Sequence, residues 1–215
     1  MKSVRRLGGW AARATALVTL CLTVYPPNRL TAQVSFHVAA GVRHSSALVH
    51  DSVVTGFDLR PTLAPALLVS VRDLLRPGWS TDVTLDVAPS GLRRQETGGS
   101  FDVGSITAVA LTVGLQRHFG AGVSARLGVG GLRYAASQTG VFREGSGGII
   151  PLGTIAATYA LPLTFARRRQ LEIEARYDVH QFITPALRTE GFRSGRPVHR
   201  MAILLQIGWG GGTTP

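Results

Sequence analysis

The residues that could do chemistry in this chain of 215 residues are few. His44-Ser45-Ser46 sets a histidine two places before a serine, so on an extended strand both would point the same way. With Asp58 or Asp51 as an orienting acid, such a histidine could take the Ser46 proton and activate it for attack on an ester. The tripeptide falls where a loop begins, however, and an ordinary polar loop entrance accounts for it. Glu172 and Glu174 share one face of one segment, as a general acid and base could. Arginines close by make structural ion pairing the expected use of both. His37, His44, His50, His118, His180 and His199 show no metal-ligand spacing, so no metal and no cofactor is expected.

These residues are positioned by segments with a period of two rather than 3.6 residues. Val34 to Arg43 places Val34, Phe36, Val38, Ala40 and Val42 on one face. Leu171 to His180 sets Leu171, Ile173, Ala175, Tyr177 and Val179 against Glu172, Glu174, Arg176, Asp178 and His180. Phe57–Arg72, Trp79–Ala88, Asp102–Gln116, Gly122–Tyr134, Ile149–Leu161 and Val198–Trp209 complete eight strands, although Pro61 and Pro65 sit awkwardly on the apolar face of the second. Connections 73–78, 117–121 and 162–170 are short or moderate. Those at 44–56, 90–101, 135–148 and 181–197 are longer and rich in Gly, Ser, Thr and Arg. Short and long alternate, as in an antiparallel meander whose two rims face different compartments.

Composition narrows the setting. Hydrophobic residues make up 45% and charged residues 16% of the chain, which excludes a disordered polymer, and a single cysteine excludes a disulfide scaffold. The formal charge of +11 is misleading, because five of the 23 basic residues precede residue 33, where no acid occurs. Residues 1–32 read as a secretory signal: Lys2, Arg5 and Arg6 open it, Ala14 to Tyr25 is apolar, and Leu30-Thr31-Ala32 is a small-residue exit. Cys21 lies inside it, so the exported domain, residues 33–215, would contain no cysteine. No basic stripe interleaved with aromatics appears, and export removes the opportunity, so nucleic acid is not an expected partner.

Alternation alone does not say which face is outside. The export signal, the loop asymmetry and aromatics near strand ends point to a membrane barrel with its apolar face on lipid. Trp79, Phe119, Tyr159 and Trp209 would form one girdle, and Phe57, Phe101, Tyr134, Tyr177 and Phe182 the other. The polar face would then line a narrow lumen locked by mutual pairing of Asp58, Arg60, Asp82, Asp86, Arg126, Glu172, Glu174, Arg176, Asp178 and Arg200. Asp178 should reach Arg200, and Arg126 should face Glu174 and Arg176. An interior of eight strands is filled by side chains, so a wide channel is not expected.

The pattern resembles the small eight-stranded bacterial outer-membrane β-barrel proteins, the class of the OmpA membrane domain and OmpX. Gln33 leading directly into a strand and the final alternating, aromatic-ended Met201–Trp209 carry the resemblance, although Gly210 to Pro215 follow that aromatic residue. The resemblance implies an all-β, eight-stranded, antiparallel up-and-down transmembrane β-barrel in the cell outer membrane, monomeric and inserted by the barrel-assembly machinery. His44, Ser46 and Asp58 are also similar to the His-x-Ser and acid of outer-membrane lipid A deacylases, with Ala47 where an Asn commonly follows. Arg93, Arg94, Arg143, Arg193 and Arg196 in the long connections could contact lipopolysaccharide phosphates. The expected role is structural, adhesive or lipopolysaccharide-contacting rather than enzymatic. The alternatives are that hydrolase and a soluble, lipocalin-like ligand carrier.

Overall fold

A computed structural model describes residues 34–51, 56–136, 148–165, 169–183 and 195–210. The expected leader, residues 1–32, lies outside them. The described residues form ten strands: β1 Val34–Ser45, β2 Val49–Asp51, β3 Phe57–Pro61, β4 Ala64–Arg76, β5 Trp79–Glu96, β6 Gly99–Gly120, β7 Val123–Ala136, β8 Ile150–Phe165, β9 Arg169–Phe182 and β10 Arg196–Gly210. β4 to β10 pair antiparallel in sequence, and β1 closes the ring by pairing with both β4 and β10. The expected eight-stranded antiparallel barrel is the observed fold.

The second expected strand is divided. Pro61 lies opposite Leu92 on β5, whereas Leu67 lies opposite Val87, so one extra residue is taken up between them. This is a β-bulge, and it reverses which side faces in: Leu59 and Pro61 are buried, while Leu63, Pro65 and Leu67 are exposed. Thr62 holds the kink, its amide donating to the Gly91 carbonyl (2.8 Å) and its Oγ1 accepting from the Gly91 amide (3.0 Å). Prolines are tolerated at such a break because ladder bonds are already lost there.

The 90–101 connection is also not a loop. β5 and β6 continue pairing to Glu96 and Gly99. β3 adds to the outer half of β5, and β2 adds to β3, so a four-stranded sheet extends the barrel at what we call its loop end. The other, turn end carries Val34, Gly210 and tight turns at Gly78 (φ 79°) and at Ala121-Gly122 (φ 49° and 76°).

The outer surface between the ends is apolar. Val34, Phe36 and Val42 on β1, Val83 and Leu85 on β5, Leu111 to Leu115 at alternate positions on β6, and Met201 to Ile207 at alternate positions on β10 are all exposed. On β7, Leu127 and Val129 are 66% and 69% exposed, which no water-soluble packing explains. From Val34 to Val42 is nine residues of tilted strand, close to the band about 25 Å tall that lipid requires. This is a transmembrane barrel with its apolar face outward.

The interior is layered rather than uniformly polar. Charged side chains occupy the middle, whereas Leu48, Leu59, Leu92, Ile106, Leu132, Tyr134, Ile150, Leu152, Phe182 and Val198 form a buried apolar cluster toward the loop end. Tyr134 and Phe182, each 4% exposed, belong to this cluster and not to the expected outer girdle. Their rings meet edge to face at 5.6 Å.

Leu85→Arg or Ile203→Arg is expected to cost about 2 to 4 kcal/mol, the penalty for a cation near the bilayer midplane. Gln95→Arg, on the exposed part of β5, should cost less than about 0.5 kcal/mol. Urea unfolding of the protein from lipid vesicles measures all three, and equal destabilisation would contradict the outward assignment.

Candidate functional site

The chemistry of the interior is concentrated in one buried ion-pair layer. Strand alternation points Asp82 and Asp86 of β5, Thr112 of β6, Arg126 of β7, Arg176 and Asp178 of β9, Arg200 of β10 and Arg43 of β1 inward together. Arg126 grips Asp82 with two bonds, Nε to Oδ2 and Nη2 to Oδ1, each 2.6 Å. Its Nη2 also donates to Thr112 Oγ1 (3.0 Å), which accepts from Arg176 Nη2 as well (3.4 Å). Arg176 Nε donates to Asp178 Oδ1 (2.8 Å). Asp178 Oδ2 lies 3.7 Å from Arg43 and 3.9 Å from Arg200, and both arginines meet Asp86, Arg43 by a short hydrogen bond and Arg200 at 3.4 Å. One continuous chain of contacts thus ties six of the eight barrel strands together.

Small residues make room for it. A Cβ on Gly114 would stand 2.6 Å from Arg126 Nε, and one on Gly208 would stand 2.7 Å from the His37 ring. His37 lies toward the turn end, between Ser35 Oγ and Gln206 Nε2, both at 2.9 Å, and Gln206 also donates to Glu172 Oε2 (2.9 Å). Glu172 is 3.8 Å from Arg72. Toward the loop end, Tyr134 Oη and His180 Nε2 are hydrogen-bonded at 3.0 Å.

The structure therefore brings together eight of the ten residues expected in the lumen: Asp82, Asp86, Arg126, Glu172, Glu174, Arg176, Asp178 and Arg200 are all buried. Asp178 and Arg200 are directly opposite in register. Arg126 turns to Asp82 instead of Glu174, although Glu174 remains within the field of Arg176, Arg126 and Arg72. Asp58 and Arg60 are not in the lumen. They lie beyond the bulge, on the outer side of β3, where Asp58 Oδ1 meets His50 Nδ1 (2.6 Å) and Oδ2 accepts from Arg60 Nη2 (2.5 Å). The hydrogen bond to His50, followed by that from Arg60, holds the Asp58 carboxyl below its ordinary pKa. Arg43, Thr112 and Gln116 are among the further polar residues buried in the interior, and their inward parity is the signal that identifies them.

The hydrolase arrangement of His44, Ser46 and Asp58 is not assembled, and the Asp51 side chain lies outside the described residues. His44 is exposed on the outward face. Ser46 Oγ accepts from the His199 amide (3.0 Å), and Asp58 is engaged by His50 and Arg60. Of the loop arginines, Arg93 and Arg196 are exposed. Arg94 lies 4.3 Å over the Phe57 ring and pairs with Glu96 at 2.5 Å. Arg143 and Arg193 lie outside the described residues. Among the described residues, no group of three or more His, Cys, Asp or Glu could hold a metal ion.

The backbone is similar to that of the outer membrane protein AlkL in lipid bilayers, with a TM-score of 0.52 and 14% identity over 89% of this chain and 97% of that one. The fold is that of the small outer-membrane β-barrels. OprG from Pseudomonas aeruginosa (TM-score 0.49, 9% identity, 85% and 98% covered) and the Neisserial surface protein A (0.48, 10%, 81% and 96%) are further similar structures. No protein-family profile matches the sequence, and no curated protein is significantly similar to it. In an outer-membrane barrel the short turns are periplasmic and the longer connections extracellular, an orientation that would set the turn end toward the periplasm and the extended sheet outward.

Arg200→Ala would leave Asp86 and Asp178 short of a cation inside the barrel and is expected to cost about 3 to 5 kcal/mol. Ser46→Ala removes one acceptor from a rim amide and should cost about 1 kcal/mol. Unfolding midpoints in vesicles check the ratio, and equal losses would show that the layer does not stabilise the barrel.

Proposed function

We propose that this outer-membrane barrel has no catalytic task and serves a structural and surface-contact role, its outer rim meeting lipopolysaccharide phosphates. One observation supports this reading above the others. The interior is filled by the ion-pair layer and the apolar cluster above it, so the surface left for recognition is the exterior of the extended sheet and its rim. Arg60, Arg93 and Arg196 are exposed there, and guanidinium groups bind phosphate through two parallel hydrogen bonds. The hydrolase reading is disfavoured because Ser46 and Asp58 are engaged elsewhere. A soluble carrier is disfavoured because such a protein turns its apolar face inward.

The test is binding of the purified barrel to lipopolysaccharide, intact or stripped of its phosphates. Intact lipopolysaccharide is expected to bind several-fold more tightly, with the preference weakened by salt and by Arg93→Gln with Arg196→Gln. Binding indifferent to phosphate would overturn the proposal, as would release of acyl chains from lipid A that Ser46→Ala abolishes.

A further inference from the structure

At the periplasmic rim, Arg76 of β4 and Arg117 of β6 are cations outside the ion-pair layer. A bulge between Leu74 and Arg76 brings Arg76 opposite Trp79, and Trp79 lies opposite Arg117 on β6. The Arg76 guanidinium carbon is 5.4 Å from the Trp79 ring centroid and that of Arg117 is 5.3 Å from it. Arg117 is also 5.3 Å from the Phe119 ring. Among the described residues, neither arginine lies within salt-bridge distance of a carboxylate, whereas Arg43, Arg60, Arg72, Arg94, Arg126, Arg176 and Arg200 all do. Both arginines are exposed.

Their depth bears on the kind of anion they would meet. On β6 the outward series runs Val113, Leu115, Arg117, Phe119, and on β5 it runs Leu85, Val83, Thr81, Trp79. The arginines therefore stand where the apolar belt ends and lipid phosphates begin. A guanidinium lying over an aromatic ring still presents its N–H edge to a phosphate. We propose that Arg76 and Arg117, seated on Trp79, hold the phosphate of an anionic phospholipid of the periplasmic leaflet, with its acyl chains along Val83 and Leu115. A zwitterionic lipid fits less well, because its ammonium would meet two guanidinium groups that already occupy the indole as cations. This site is at the rim opposite the lipopolysaccharide contact and depends only on membrane insertion.

The test reads Trp79 emission in a Trp209→Phe background, as the part of the signal that Trp79→Phe removes. The protein is placed in phosphatidylcholine vesicles containing a minor fraction of brominated phosphatidylglycerol or brominated phosphatidylcholine. Brominated phosphatidylglycerol is expected to quench Trp79 several-fold more strongly at equal mole fraction. Arg76→Gln with Arg117→Gln should abolish that preference while the unboiled protein keeps its folded gel mobility. Arg93→Gln with Arg196→Gln, at the other rim, should leave it intact. Equal quenching by the two lipids, or a preference that survives loss of both Arg76 and Arg117, would overturn the proposal.

Discussion

In hydrocarbon no water is available to pair a free backbone N–H or C=O, so a sheet that crosses a membrane must have no edge. The pairing of β1 with both β4 and β10 meets that requirement, and much of the remaining structure follows from it. An eight-stranded ring encloses a space only wide enough for side chains. With lipid outside, the apolar half of each alternating strand faces outward, and the polar half must find its partners inside. Desolvating a charge costs several kcal/mol, which only close pairing with good geometry offsets. The two-bond grip of Arg126 on Asp82 and the sharing of Asp86 by Arg43 and Arg200 supply that geometry.

Closure also explains the division of labour along the barrel axis. Within the membrane the interior is dominated by ion pairs, which tie strands together across the ring beside a small apolar patch that includes Ala39, Leu68, Ala202 and Leu204. Toward the loop end the lipid constraint ends, and the interior becomes an ordinary apolar core of Leu48, Leu59, Leu92, Leu132 and their neighbours. That core lets β2, β3, β5 and β6 continue as an extended sheet without help from the bilayer. A filled interior beneath an exposed sheet suits surface contact better than passage through the barrel.

Alternation made the ring readable from the residues alone, most clearly at Val34–Arg43 and Leu171–His180, and inward parity placed most of the charged layer. The bulge was hidden because Leu59, Pro61, Leu63 and Pro65 keep an unbroken period of two. An extra residue changes which side faces in without changing the pattern, and this is why Asp58 and Arg60 were expected inside. The 90–101 hairpin reads as a loop because its Gly, Ser, Thr and Arg residues are those of connections. The apolar cluster left one trace, the change of the inward series from Asp86 to Leu92 and from Thr112 to Ile106. The choice of Asp82 by Arg126 needs the relative stagger of β5 and β7, which no single strand encodes.

Buried ion pairs, and not strand pairing alone, are expected to hold the barrel together. A double-mutant cycle on Asp82 and Arg126 decides this: Asp82→Ala, Arg126→Ala and the double variant are unfolded by urea from vesicles of one lipid composition. A coupling energy of about 1.5 to 3 kcal/mol is expected, in the upper part of the range for contacting residues. Single losses that add to within about 0.5 kcal/mol would contradict it.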